Sequence, residues 1–168
     1  GKGDIREHGS GNAGTTNMLR SVGKKAAAIT LILDILKGVV AIGIGIITGL
    51  IFKNSDKSLL VQLAALLVVV GHTFPIFFGF KGGKGIATSL GAILMIEWQI
   101  GLVCLVFALA LMISSRMVSL GSICTAILYP VLVFVMGETF GTTFESKLAY
   151  IIFAICIAGL AIFRHRAN

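Results

Sequence analysis

LLVQLAALLVVVGHTFPIFFGFKGGKG, from Leu59 to Gly85, decides how the chain is to be read. As far as Phe78 it is an apolar run of the length that crosses a hydrocarbon core of about 30 Å, for which about 20 residues suffice. It then closes with HTFP and passes directly into FKGGKG, where Gly82, Gly83 and Gly85 interleave with Lys81 and Lys84. Comparable runs lie at Ala26 to Phe52 and Met117 to Met136. The whole chain of 168 residues is 57% hydrophobic and only 12% charged, with a mean hydropathy of +1.01. A soluble domain must cover its surface with polar side chains, and this composition cannot do so.

Working outward, residues 1–25 are polar, glycine-rich and basic and read as a loop, and spans follow at 26–52 and 59–78 around the turn NSDKS. Residues 79–85 form a second glycine-rich loop. The stretch 86–113 would make a helix of about 42 Å if continuous, yet Glu97, Trp98 and Gln99 interrupt it near its middle. Two short spans, 86–96 and 100–113, are therefore expected around an interfacial turn, where Trp is at home. SSR at Ser114 to Arg116 is the next turn. Spans at 117–136 and 148–163 follow, joined by GETFGTTFESK, and RHRAN ends the chain. The expectation is a single all-α polytopic membrane domain with six spans.

Charge supplies its orientation, because Lys and Arg concentrate in cytoplasmic loops. With six spans, one side receives residues 1–25, the 80–85 loop, Ser114 to Arg116 and the RHRAN tail, with ten Lys or Arg against Asp4 and Glu7. The other side receives Lys53, Lys57 and Lys147 against Asp56, Glu97, Glu138 and Glu145. The glycine-rich basic loops thus gather on the cytoplasmic face. Cys104, Cys124 and Cys156 sit inside apolar runs at irregular spacing, so neither a disulfide framework nor a zinc site is expected, and no metal or cofactor.

Chemistry-bearing residues cluster in those loops. In DIREHGSGNAGTTNMLR, Gly9, Gly11 and Gly14 match GxGxxG, but no strand precedes them, so the dinucleotide-binding fold lacks its context. What remains is a permissive loop bearing Ser10, Asn12 and Asn17 as hydrogen-bonding groups and Arg20 as a forked cation, either an anion site or a linker. In FKGGKG, Lys81 and Lys84 stand among glycines directly before a span, where the N–H groups of a helix start favour a phosphate. The spacing of a nucleotide-hydrolysing P-loop is missing. Asp34 and Lys37 share a helix face inside the first span, as a neutralising pair or with Lys37 beneath the phosphate site. His72, Ser119, Ser122, and His165 with Asn168 three residues on, are isolated polar groups at span ends.

In their order along the chain, GSGNAGTTNMLR, DILKG, GHTFPIFFGFKGGKGIAT and RHRAN resemble the bacterial acyl-phosphate:glycerol-3-phosphate acyltransferase family, the PlsY type. The resemblance covers nearly the whole chain. It implies transfer of a fatty acyl group from acyl phosphate to the first hydroxyl of glycerol 3-phosphate, giving lysophosphatidic acid and phosphate, by a monomer in the bacterial plasma membrane. Its first motif implies essential roles for Ser10 and Arg20, with Asn12 and Asn17 beside them. Its second implies glycerol 3-phosphate binding by Gly82, Gly83 and Gly85 around Lys81 and Lys84; Lys37 and Ser119 are further candidate substrate contacts outside that motif. Its third implies His165 and Asn168 as catalytic.

The family's first transmembrane helix would precede Gly1, so seven spans are expected with six here and a chain trimmed at both ends. The partners implied are the two phosphorylated substrates and membrane lipid, with no nucleic acid. Direct attack on an already activated acyl phosphate needs positioning, a proton acceptor and oxyanion stabilisation, but no acyl-enzyme. His165 and a substrate phosphate oxygen are both candidates for that acceptor. A transporter for a small phosphate ester is the competing class, and the lack of an internal repeat speaks against it.

Overall fold

The computed structural model of the chain describes residues 3–52, 56–137 and 147–166, and all regular structure among them is helical. After a 3-10 turn at Ile5–Glu7 come α1 (Thr15–Ser21), α2 (Lys24–Ile51), α3 (Lys57–Thr73), a second 3-10 turn at Ile76–Phe78, α4 (Ile86–Ile96), α5 (Trp98–Ser115), α6 (Val118–Met136) and α7 (Lys147–His165). Among the described residues, five helices are long and apolar enough to cross a membrane: α2, α5, α6, α7 and the stretch Lys57–Phe78 containing α3. The sixth apolar helix, α4, has 11 residues and so rises only about 16 Å.

Glu97 makes the break after α4. Its backbone is extended, with φ −151° and ψ 88°, and its side chain is buried near the Tyr129 and Tyr150 hydroxyls. The chain folds back there, since a Cβ on Gly101 would lie 3.1 Å from the Cα of Leu94. A carboxylate at that depth must face protein rather than lipid.

The helices pack in chain order, α2 on α3 and α4, α5 on α6, α6 on α7. Lipid offers no hydrophobic drive between helices, so close backbone approach through small residues takes its place. Gly38 and Gly91 supply it where α2 crosses α4: a Cβ on Gly91 would strike the Ile35 carbonyl, and one on Gly38 the Thr88 carbonyl. Ile42, Val61, Val69, Ile100, Val133 and Phe153 fill the interior, while Leu33, Ile44, Leu67, Val106 and Phe134 point outward, as they must where the surrounding solvent is hydrocarbon.

The turns around the expected span 100–113 are shorter than expected, with Trp98, Gln99, Ser114 and Ser115 all within α5, and two further elements differ. The N-terminal segment contains α1, because Gly14 opens a helix there and Asn17 on it gathers the preceding loop. The second apolar run leaves the helix at Thr73 rather than at Phe78, since Pro75 offers no N–H to extend it. Lys53, Asn54 and Ser55 of the turn NSDKS just after it, residues 138–146 of GETFGTTFESK, and Ala167 and Asn168 of the RHRAN tail lie outside the described residues.

Gly91→Val should therefore lower the thermal midpoint of the purified protein by about 5 °C or more through overpacking against backbone. Gly43→Ala is the control, because nothing lies within 4 Å of its Cβ position, and the midpoint should hold or rise slightly.

Candidate active site

The site is built on two loops, and a single amide organises the first. Asn17, 2% exposed, donates through Nδ2 to the carbonyls of Ile5, His8 and Asn12 at 3.1, 2.9 and 2.9 Å. Its Oδ1 accepts from the Ser10 N–H at 3.0 Å. Asn12 braces the next bend, its Oδ1 accepting from the Gly14 N–H at 2.9 Å. Gly9 and Gly11 take left-handed backbone, with φ +59° and +67°, which side-chain-bearing residues adopt at a cost. The loop thereby holds Ser10 and Arg20 exposed, Arg20 on the last turn of α1.

The second loop is closed by the end of α3. The last carbonyls of a helix have no partner within it, and here the Gly83 N–H donates to the His72 carbonyl and the Gly82 N–H to the Thr73 carbonyl, at 3.2 and 3.3 Å. Gly82 and Gly83 thus give shape rather than free donors. A Cβ on Gly82 would strike the His72 carbonyl, and one on Gly83 the His72 ring. Gly85, at φ +79°, turns the chain into α4, whose first-turn N–H groups are the donors a helix start leaves open.

Arg6 ties the two loops together. It pairs with Asp4 at 2.7 Å, donates to the Phe78 carbonyl at 3.2 Å and lies 4.6 Å over the Phe78 ring. The Arg6 guanidinium holds the Asp4 carboxyl below the usual carboxylate range. Beneath this tie lies a cavity of about 310 Å³, edged by Arg6, Lys37, His72, Lys81, Gly82 and Gly83. Lys37 reaches it while paired to Asp34 at 2.6 Å.

Lys84 lies on the other side of the glycines, in electrostatic range of Arg20, Arg164 and His165. Burial first, and then the Arg164 and Arg20 guanidinium groups, lower its pKa from the ordinary lysine value. A cluster of cations with no facing carboxylate among the described residues attracts a multiply charged anion. Arg164 reaches back from α7, Nη2 standing 3.5 Å from the Gly82 and Gly83 carbonyls. His165 is buried, and its Nδ1–H donates to the Ala161 carbonyl at 2.8 Å, which leaves Nε2 as the ring's acceptor.

Of the residues singled out from sequence, Ser10, Asn12 and Asn17 share the first loop, while Lys81, Gly82, Gly83, Lys84 and Gly85 share the second. Arg20 and His165 meet at Lys84. Ser119 stands apart, half-buried in the first turn of α6, which packs chiefly on α5 and α7. Arg164 escaped the sequence reading because a guanidinium near a span end looks like an interfacial anchor, and Arg6 because its partner Phe78 lies 72 residues away. Only the fold shows what each one touches.

Along its whole length the chain is similar to proteins of one family. The profile of a family described as glycerol-3-phosphate acyltransferase matches residues 1–168. Relatives bearing that name in Thermoanaerobacter sp. (strain X514) and Syntrophomonas wolfei are 40% and 39% identical, each over 98% of this chain and over 76% and 77% of their own length. Two crystal forms of PlsY (YgiH), an integral membrane glycerol 3-phosphate acyltransferase, share the fold at 36% identity. The glycerol 3-phosphate form has a TM-score of 0.83, covering 99% of this chain and 77% of that one. The lysophosphatidic acid form has 0.78, covering 95% and 74%.

The lowered Lys84 pKa carries a pH prediction. Its charge is present below that pKa and lost as pH rises through it, so affinity for a phosphate monoester should fall at an alkaline pH below the ordinary lysine range. Titration calorimetry with glycerol phosphate across pH checks this, and Lys84→Arg should abolish the alkaline loss, since arginine does not deprotonate.

Proposed function

Since the chain belongs to the glycerol-3-phosphate acyltransferase family, we propose that it transfers a fatty acyl group from acyl phosphate to the first hydroxyl of glycerol 3-phosphate. The products are lysophosphatidic acid and inorganic phosphate. The observation that carries this reading is the convergence of Lys84, Arg20, Arg164 and His165 beside a glycine-shaped helix start, within a bundle whose outer surface is hydrocarbon-compatible. Both substrates bear phosphate and one bears an acyl tail, so cations must sit where loops meet lipid.

In this reaction the glycerol hydroxyl oxygen attacks the acyl carbonyl carbon, the carbon–oxygen bond to phosphate breaks, and phosphate departs with the electron pair. The hydroxyl proton passes to His165 Nε2 or to a phosphate oxygen. Arg20 and Lys84 hold phosphate charge, and the Ser10 hydroxyl donates to a substrate oxygen. Preorganised donors of this kind contribute most when each must be aimed before the charge develops. Acyl phosphate is activated already, which is why no covalent acyl-enzyme is needed.

The proposal extends to topology: six spans here, with the glycine-rich loops on the cytoplasmic face of a bacterial plasma membrane. The excess of Lys and Arg in those loops supports it.

The decisive assay supplies purified protein in detergent or lipid with labelled glycerol 3-phosphate and either acyl phosphate or acyl-CoA. Lysophosphatidic acid should form from acyl phosphate alone, and formation only from acyl-CoA would reassign the donor. Arg20→Ala should reduce kcat/KM by at least about a hundredfold, the scale of losing one charge-stabilising donor. Gly83→Ala should raise KM for glycerol 3-phosphate about tenfold with a smaller change in kcat, the pattern of lost binding rather than lost chemistry.

A further inference from the structure

His72 lies in the last turn of α3 and touches three things at once. On one ring edge, Nδ1 meets the Lys37 ammonium and stands 3.5 Å from the Asp34 carboxylate. On the other edge, the ring lies against Gly83 so closely that a Cβ there would overlap Nε2. Its main-chain carbonyl accepts the Gly83 N–H at 3.2 Å. Lys37 in turn donates to Asp34 Oδ1 at 2.6 Å.

An ammonium group can only donate. Nδ1 must therefore accept, and the ring proton resides on Nε2, facing the glycine loop. The ring faces Lys37 and Asp34 from α2 and Gly83 from the loop, with Arg164 of α7 in electrostatic range and the rest of the ring edging the 310 Å³ cavity. His72 itself is nearly buried, its side chain 8% exposed.

We propose that His72 is a positioning residue for the phosphate-binding loop: locked by Lys37 as the Nε2–H tautomer, its ring is the floor on which Gly83 rests, and it thereby sets where Lys84 and the first turn of α4 stand. The Asp34–Lys37 pair, with Asp34 buried and Lys37 partly exposed, is the anchor of that floor, and Lys37 acts on substrate through His72. Side chains that orient a binding group from behind commonly change affinity by tenfold or more when removed. The inference rests on the reading of the loop as a glycerol 3-phosphate site.

The test measures both Kd for glycerol 3-phosphate, by titration calorimetry, and the kinetics of lysophosphatidic acid formation, on the full chain and on His72→Ala, His72→Gln, Lys37→Met and the double variant His72→Ala/Lys37→Met. Expected for His72→Ala and for Lys37→Met is a rise of about tenfold in Kd and KM for glycerol 3-phosphate, with kcat and the donor KM within about threefold. The double variant should be no worse than His72→Ala, because residues acting in series are not additive. His72→Gln, which keeps an amide N–H near the Nε2 position, should recover most of the affinity. If His72→Ala does not fold, His72→Leu against His72→Gln makes the same comparison.

Unchanged affinity in His72→Ala, or additive losses in the double variant, would overturn the proposal. So would kcat and the KM values of both substrates worsening together. Wild-type protein that binds glycerol 3-phosphate but makes no lysophosphatidic acid would overturn the acyl-transfer reading and leave this one to be judged on Kd. Wild-type protein that does not bind it would overturn both.

Discussion

The constraint on which the structure depends is the need to satisfy the C-terminal carbonyls of α3. Backbone groups near hydrocarbon have no water to turn to, and each one left unpaired costs several kcal/mol. Pro75 stops the helix, and the glycine loop returns to donate the Gly82 and Gly83 N–H groups to the exposed carbonyls. Only residues without a Cβ can come that close to His72 and Pro75. The glycine-rich loop is therefore a helix cap first, and a binding surface second in the proposed reading. The same geometry that completes α3 starts α4 and delivers Lys84 between them.

Electrostatics then follows from position. Lys84, Arg20 and Arg164 come from a loop, from α1 and from α7, far apart in sequence, and the Lys84 pKa is depressed by burial first and then by the two guanidinium charges. Cations held together in this way destabilise the empty site and favour whatever anion relieves them. Asp34 and Asp4 balance Lys37 and Arg6 on the opposite side of the glycines. Among the described residues, Lys84, Arg20 and Arg164 have no carboxylate partner of this kind.

How far these features were legible in the sequence depends on their range. Apolar run length located the long helices, and Glu97 marked the helix break after Ile96, because burial in lipid is a property each segment shows alone. The helix α1 was not legible: its stability comes from Asn17 reaching carbonyls up to 12 residues away rather than from an apolar stripe. His72 looked isolated because its partners Lys37 and Asp34 lie on another helix, 35 or more residues back. The candidate residues were found by type and neighbourhood, whereas which of them share a surface is a matter of helix packing that no local pattern encodes.

The two histidines flanking the loop show what that packing adds. His165 gives its Nδ1 proton to the Ala161 carbonyl and presents a bare Nε2, whereas His72 accepts at Nδ1 from Lys37 and carries its proton on Nε2. The same side chain is thereby fixed in opposite tautomers by one hydrogen bond each, a carbonyl in one case and an ammonium in the other. One ring can take a proton and the other can only support a donor surface. In the proposed acyl transfer, this separates the residue suited to accept the hydroxyl proton from the residue that holds the loop in place. A single-sequence reading that counts histidines near a phosphate site cannot distinguish those roles, because the distinction resides in the atom on the far side of each ring.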